Sequence, residues 1–231
     1  MVTVNRTDAH RTPVELVVLD MAGTTVADDG LVERAFAAAL PEHTSEAADH
    51  VRATMGESKI SVFRHLTGGD EERAQEANRA FERAYARLVD QGLCAPLPGA
   101  GDTLRRLRAE GRTTALTTGF ARDTQDRILR ALGWEDIADL TLCPADAGGR
   151  GRPHPDMVLT AALRAGVGSV AAVAVVGDTA ADIRSGLRAG ASVVAGVRTG
   201  AHGADALLAA GATHVLDGVA DLPALLADRE G

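Results

Sequence analysis

The stretch Leu16-Val17-Val18-Leu19-Asp20-Met21-Ala22-Gly23-Thr24-Thr25 decides the fold of this chain. Its four consecutive apolar residues predict a short strand buried on both faces of a parallel sheet. The strand ends in Asp20, and open α/β sheets bind ligands at the carboxyl ends of their strands. Gly23 permits a sharp turn after it, which would aim main-chain N–H groups at an anion. An ordinary capped turn uses the same residue types, so this stretch alone leaves both interpretations open.

A second motif repeats the pattern in Val173-Ala174-Val175-Val176-Gly177-Asp178-Thr179-Ala180-Ala181-Asp182. We expect a buried strand over 170–176 and a helix over 178–189, which would place Asp178 and Asp182 on one helix face. Two carboxylates so close together require a cation, and a ligand set of oxygen atoms favours Mg²⁺. Asp178 also fits a simple N-cap, but that does not explain Asp20 at the matching end of another strand. We therefore favour a metal site.

Two further segments offer contacts for an anion. Thr118 and Gly119 follow a strand predicted over 113–118 and provide a hydroxyl and a flexible main chain. Arg152 stands just before a helix predicted over 155–165, and its guanidinium can hold two phosphoryl oxygens at once. Each residue alone is ordinary, whereas the four strand-end segments in this order form a specific signal.

The organisation of the chain is that of an interrupted α/β sheet. From residue 97 onward predicted strands and helices alternate as in a doubly wound parallel sheet. Between them and the first strand, helical periodicity extends over 32–40, 47–55, 60–66 and 71–88, with a break at Pro41. The Pro-rich segment 95–99 marks a boundary. We predict an α/β core domain formed by 1–28 and 97–231 and an all-helical cap domain formed by 29–96.

The composition excludes several classes of function. A net charge of −8 over 231 residues argues against a nucleic-acid surface. No apolar run approaches the ~20 residues of a membrane span. Residues 1–13 are polar and lack the apolar segment of a secretory signal, so we expect a cytoplasmic protein. Cys94 and Cys143 have no metal or disulfide spacing and are expected to be buried thiols.

Lysine usage is the most unusual feature of the composition. Of the 24 basic residues counted as Lys or Arg, Lys59 is the only lysine. An amine can lose its proton and attack a carbonyl carbon, which a guanidinium cannot do. A codon-biased genome in which one lysine remained by chance explains the count equally well.

The motifs Asp20-x-x-Gly-Thr, Thr118, Arg152 and Gly177-Asp178-x-x-x-Asp182 resemble the four motifs of the haloacid dehalogenase superfamily of phosphohydrolases. The resemblance covers essentially the whole chain and implies a Rossmann-like core with a helical cap inserted after the first strand. It implies that Asp20 is a nucleophile forming an aspartyl-phosphate. It also implies Mg²⁺ held by Asp20, the main-chain carbonyl of Ala22, Asp178 and Asp182. The residues expected at the phosphate or substrate are Ala22, Gly23, Thr24, Met55, Thr118, Gly119 and Phe120.

Two departures from the common pattern indicate a branch of this superfamily. Ala22 stands where phosphomonoesterases carry an acid that protonates the leaving oxygen, and Arg152 replaces the usual lysine of the third motif. Both features resemble the phosphonatase branch, which hydrolyses the P–C bond of phosphonoacetaldehyde through a Schiff base on a cap lysine. That lysine lies in a Met-Gly-x-x-Lys segment, and this chain has Met55-Gly56-Glu57-Ser58-Lys59. The resemblance implies Asp20, Lys59 and Arg152 as catalytic residues, a small phosphonate substrate and a homodimer.

Three positions differ from the phosphonatase pattern. Val62, Leu31 and Phe120 stand where that branch has histidine, cysteine and tyrosine, which leaves the substrate open. One alternative is a phosphatase of small phosphate esters, in which Lys59 is a substrate-binding cation. Another is a non-catalytic binding protein on this fold, against which the complete motif set argues.

Overall fold

The computed structural model describes residues 12–40 and 44–230; the polar segment 1–11 and residues 41–43, with Pro41, lie outside the described residues. Within those ranges six strands form one parallel sheet in the order β3-β2-β1-β4-β5-β6. The strands are β1 Leu16–Asp20, β2 Thr113–Thr117, β3 Leu140–Leu142, β4 Val173–Gly177, β5 Val193–Val197 and β6 His214–Leu216. The predicted doubly wound parallel sheet is confirmed.

The two central strands carry the functional motifs. Every residue of β1 and of β4 is buried, as expected of strands covered by helices on both faces. Asp20 at the end of β1 is in register with Thr117 at the end of β2, and Leu19 is in register with Val176 of β4. The segments that follow these three strands therefore emerge at one edge of the sheet.

In the described part of the chain, four helices between β1 and residue 97 form the helical insert. They are α1 Leu31–Ala39, α2 Ser45–Ala53, α3 Lys59–Leu66 and α4 Glu71–Asp90. Aromatic side chains Phe36, Phe63, Phe81 and Tyr85 pack together in its interior. The two linkers to the core run side by side, with Ala27 N–H donating to Ala95 O at 2.8 Å. The domain boundaries at 28/29 and 96/97 stay a prediction.

Six helices accompany the sheet in the second part of the chain: α5 Ala100–Ala109, α6 Arg122–Ala131, α7 Asp156–Ala165, α8 Ala180–Ala189, α9 Ala204–Ala209 and α10 Leu222–Glu230. None of the helices in the described ranges is long and apolar enough to cross a membrane. Cys94 and Cys143 are buried free thiols, as predicted.

Two sequence-based boundaries around β4 are wrong. The strand predicted over 170–176 begins at Val173, because residues 170–172 form a 3-10 turn that the Ser169 hydroxyl caps. The helix predicted over 178–189 begins at Ala180, because Thr179 is its N-cap. Asp178 therefore precedes the helix and does not share a helix face with Asp182.

Candidate active site

Three buried carboxylates meet where β1 and β4 end. Asp20 is the last residue of β1, Asp178 follows β4, and Asp182 lies in the first turn of α8. Each offers an oxygen within 4.8 Å of the others. Asp182 is held by Thr179, whose main-chain N–H donates to Asp182 Oδ2 at 3.1 Å and whose hydroxyl also donates to it. The capping box of α8 thus keeps Asp182 at the site although Asp178 is not helical.

Burying three ionised carboxylates together costs free energy unless a cation neutralises them. Burial raises the pKa of Asp20 from 3.8 to about 7, opposed by Arg152 and reinforced by Asp182. Burial likewise raises the pKa of Asp178 well above its usual range, and the charges of Asp20 and Asp182 raise it further. Oxygen-only ligands of this kind are those that Mg²⁺ prefers. The donor set therefore fits magnesium, the ion predicted from the sequence.

Arg152 lies in the same cluster and is only 5% exposed. Its guanidinium forms ion pairs with both Asp20 and Asp182. Its Nε is buried and has no hydrogen-bond partner in the described part of the chain. The structure therefore brings the predicted cation of the third motif into contact with the predicted nucleophile.

Main-chain hydrogen bonds close the turn after β1. Gly23 N–H donates to Val26 O at 2.7 Å and Thr24 N–H donates to Met21 O at 3.1 Å, so these amides close the turn. These two amides are therefore not free to bind an anion. The Thr24 hydroxyl instead donates to Asp178 Oδ1 at 3.1 Å. Gly23 has φ 87° and a side chain there would strike the Asp178 carboxylate, which requires glycine at this position.

The loop after β5, which the sequence analysis missed, contacts the second carboxylate oxygen of Asp178. Ala201 N–H donates to Asp178 Oδ2 at 2.8 Å, and the Thr199 hydroxyl donates to Gly23 O at 2.7 Å. These residues follow β5, the neighbour of β4 in the sheet. Parallel strands end at the same edge of a sheet. The Thr199-Gly200 pair after the buried strand β5 is therefore the sequence feature that could have indicated this contact.

The segment after β2 connects the core to the helical insert. The Thr118 hydroxyl accepts a hydrogen bond from Phe120 N–H at 3.2 Å. Gly119 O accepts one from Lys59 N–H at 3.3 Å. A Cβ on Gly119 would lie 2.5 Å from Glu57 O, so the insert can approach this closely only over a glycine.

A cavity of about 340 Å³ opens between the insert and the core. Its lining contains most of the predicted site: Asp20, Ala22, Gly23, Met55, Lys59, Thr118, Gly119, Phe120, Arg152 and Asp178. Thr24 and Asp182, the other two predicted residues, do not line the cavity. The Thr24 hydroxyl donates to Asp178, and Asp182 is paired with Arg152.

Lys59, the first residue of α3, is buried and 5% exposed. Its Nζ lies 5.2 Å from the ring centroid of Phe120 and 6.0 Å from that of Phe36. Burial lowers the pKa of Lys59, and the charge of Arg152 lowers it further, against the opposing charges of Asp28, Asp20 and Glu82. The amine therefore loses its proton more readily than an exposed lysine does.

Two of these acids, Asp28 and Glu82, were missed by sequence analysis. Asp28 lies in the first linker and lines the same cavity as Lys59, while Glu82 lies on α4. Neither belongs to a recognisable motif, and Glu82 comes near Lys59 because α3 packs against α4 within the insert. His65, close to Lys59 in sequence, instead stacks on His50 with ring centroids 3.8 Å apart.

Comparison with known proteins agrees with this arrangement. A phosphonoacetaldehyde hydrolase of Bacteroides fragilis is 30% identical over 260 residues, covering 92% of this chain and 95% of the relative. A phosphonoacetaldehyde hydrolase-like protein of Syntrophobacter fumaroxidans is 31% identical over 209 residues, covering 80% of this chain and 73% of the relative. The crystal structure of a phosphonoacetaldehyde hydrolase-like protein from Oleispira antarctica superposes with a TM-score of 0.82 at 28% identity, covering 95% and 94% of the two chains. Residues 14–190 match the family model of haloacid dehalogenase-like hydrolases. The chain is therefore a hydrolase that belongs to the haloacid dehalogenase-like family.

Proposed function

We propose that this hydrolase is Mg²⁺-dependent and cleaves the P–C bond of a small phosphonate aldehyde of the phosphonoacetaldehyde type. One observation carries the proposal: the only lysine of the chain is buried in the cavity that also contains Asp20. A binding cation needs no such burial, whereas an amine that must attack a carbonyl gains from it, because burial favours the neutral form.

Asp20 is the nucleophile in this proposal. Its carboxylate lines the cavity and is paired with Arg152. In the proposed reaction the Arg152 guanidinium binds the oxygens of the phosphoryl group that is transferred to Asp20. Magnesium, held by Asp20, Asp178 and Asp182 with the Ala22 carbonyl, would neutralise the charge on the phosphoryl group. Ala22 provides no acid, which suits a leaving group that is carbon and not an alkoxide oxygen.

Lys59 supplies the electron sink. Its neutral nitrogen attacks the aldehyde carbon, the carbonyl oxygen leaves as water, and an iminium results. As phosphorus passes to Asp20, the electron pair of the P–C bond moves toward the iminium and leaves an enamine. Water then cleaves the aspartyl-phosphate, while protonation and hydrolysis of the enamine release the aldehyde product and restore Lys59.

A phosphate-release screen with Mg²⁺ tests this proposal. Phosphonoacetaldehyde is compared with p-nitrophenyl phosphate and with sugar phosphates, and the expected kcat/KM for the phosphonate is about 100-fold or more above that of any ester, since the site lacks an acid for the ester oxygen. Ester hydrolysis without phosphonoacetaldehyde turnover would identify a phosphatase. No Mg²⁺-dependent turnover of any of these compounds would favour a binding protein.

A further inference from the structure

Asp28 lines the cavity that contains Lys59, and a hydrogen bond fixes its carboxylate. Its Oδ1 accepts a hydrogen bond from Val32 N–H at 3.1 Å, in the first turn of α1. One turn further along the same helix, Phe36 lies against the Lys59 Nζ. The cavity also contains Asp20. Helix α1 therefore anchors both this carboxylate and one wall of the pocket around the amine.

The other carboxylates near Lys59 are already engaged. Glu82 accepts hydrogen bonds at both oxygens, from Ala121 N–H at 3.2 Å and from the Thr124 hydroxyl. Asp20 is paired with Arg152. The Asp28 side chain, by contrast, has no hydrogen bond other than that from Val32 N–H among residues 12–40 and 44–230, which leaves its second carboxylate oxygen without a partner there. Of the carboxylates acting on the Lys59 charge, that of Asp28 acts most strongly.

We propose that Asp28 is the proton-transfer group for the amine of Lys59, an inference that rests on the proposed function. No ion pair joins Asp28 to Lys59 in the described residues, so the transfer runs through one bridging water in the cavity that both residues line. By this route Asp28 takes a proton from the Lys59 ammonium, and the neutral amine adds to the aldehyde carbon. Asp28 protonates the resulting alkoxide and takes a second proton from nitrogen. It then gives that proton to the hydroxyl, which leaves as water and yields the iminium. Ammonium and aldehyde thus give iminium and water, with Asp28 again ionised.

The surroundings of Asp28 support this role. Burial raises the pKa of Asp28, against the Val32 hydrogen bond and the charge of Lys59. The other titratable groups that act on it or feel its charge are Asp29, Glu33, Tyr85 and Cys94. A carboxyl group with a raised pKa both accepts and returns a proton more readily near neutral pH. Val62, one turn after Lys59 on α3, is buried and apolar and offers no group that could move this proton.

The test is the rate of borohydride trapping with phosphonoacetaldehyde in the full-length protein with Mg²⁺. Asp28→Asn keeps an oxygen that can accept from Val32 N–H, so the start of α1 is preserved while proton transfer is lost. We expect trapping about 100-fold slower than in wild type, the scale of general acid–base effects. The wild-type trapping rate should rise with pH as Asp28 and then the Lys59 ammonium lose their protons, and in the variant only the part of the rise due to Lys59 should remain. Asp102→Asn is the matched control, since Asp102 is an exposed acid on α5 that does not line the cavity.

A second variant separates chemistry from structure. Asp28→Ala should also be slow, and added formate should restore a measurable part of the rate because it replaces the missing carboxylate. Trapping of Asp28→Asn at the wild-type rate overturns the inference, and so does a slow Asp28→Ala variant that formate does not accelerate. Wild-type protein that is not trapped at all would contradict the proposed function itself, which distinguishes the two failures.

Discussion

The core and the helical insert contribute to one cavity in different ways. In the core, each site carboxylate is held by several neighbours: Asp178 by Thr24 and Ala201, and Asp182 by Thr179 and Arg152. In the insert, Lys59 lies between two phenylalanine rings, and its main-chain N–H contacts the core at Gly119. The core half of the cavity is therefore held together by ion pairs and hydrogen bonds. In the insert half, the main feature is the burial of Lys59.

This difference separates two tasks. A cluster of carboxylates with one arginine handles a phosphoryl group whatever it is attached to. In the proposed reaction, the buried amine acts on the rest of the substrate and decides which bond breaks. Changes in the core should therefore affect every reaction of the protein, whereas changes in the insert should affect P–C cleavage alone.

The largest expected effect comes from the core. Asp20→Asn removes the nucleophile while keeping its size, and we expect phosphate release from any substrate to fall by about 1,000-fold or more. Phosphate release is measured with phosphonoacetaldehyde and with phosphate esters, and circular dichroism checks folding. Asp102→Asn, an exposed acid on α5, is the control. Substantial residual turnover in the Asp20 variant would contradict its role as the nucleophile.

The next effect should be confined to the insert. Lys59→Arg keeps the charge but cannot form an imine, so P–C cleavage should fall by about 1,000-fold while stabilisation by Mg²⁺ is unchanged. Lys59→Met serves as a second variant that packs against the same rings without a charge. Retention of a substantial fraction of wild-type P–C cleavage in the arginine variant would leave the phosphatase alternative in front.

Ala22→Asp sharpens the comparison from the core side. The new acid would protonate an ester oxygen, but a site organised for P–C cleavage should gain less than about tenfold on p-nitrophenyl phosphate, far below a full general-acid effect. The phosphonate reaction should slow, because a further negative charge enters the cavity beside Asp20. Steady-state kinetics with p-nitrophenyl phosphate and with phosphonoacetaldehyde measures the two effects. A large gain on esters with phosphonate cleavage unchanged would favour the phosphatase.

The smallest effect is a pH-dependent thermal shift. The pKa of Asp20 is raised from 3.8 to about 7, so the folded state holds a proton that the unfolded state has released. The stability of the metal-free protein should therefore fall as pH rises from about 4 to about 7. Mg²⁺ neutralises the ionised carboxylates, and its gain in Tm should be several degrees larger near about pH 8 than near about pH 5.5. An equal gain at both pH values would contradict a metal site containing Asp20.

Much of the core half was predictable from the sequence. The buried strands β1 and β4 end in Asp20 and Gly177-Asp178, and parallel strands bring such ends to one edge. The predicted helix face of Asp178 and Asp182 was wrong, because Thr179 caps α8 and excludes Asp178 from it. A hydroxyl N-cap forms because the side chain accepts a hydrogen bond from a main-chain N–H in the first turn of the helix. The spacing of apolar residues carries no information about that hydrogen bond.

The insert half was predictable only in part. Lys59 stood out because it is the only lysine, but nothing in the chain indicated its acidic neighbours Asp28 and Glu82. Glu82 comes near Lys59 because α3 packs against α4, and the helical insert in turn docks against the segment after β2. That docking rests on close main-chain contacts such as Gly119 with Glu57, which a single sequence does not encode as a pattern.

The most direct test of the central claim is borohydride trapping read by intact mass. Wild-type protein is treated with phosphonoacetaldehyde and borohydride, and Lys59→Arg is treated identically. Because Lys59 is the only lysine, an adduct can form only there or at the terminal amine. The Schiff-base mechanism predicts one reduced adduct on the wild type, mapped to Lys59, and none on Lys59→Arg. An unmodified wild type that still releases phosphate from phosphonoacetaldehyde, or equal labelling of both proteins, would contradict it.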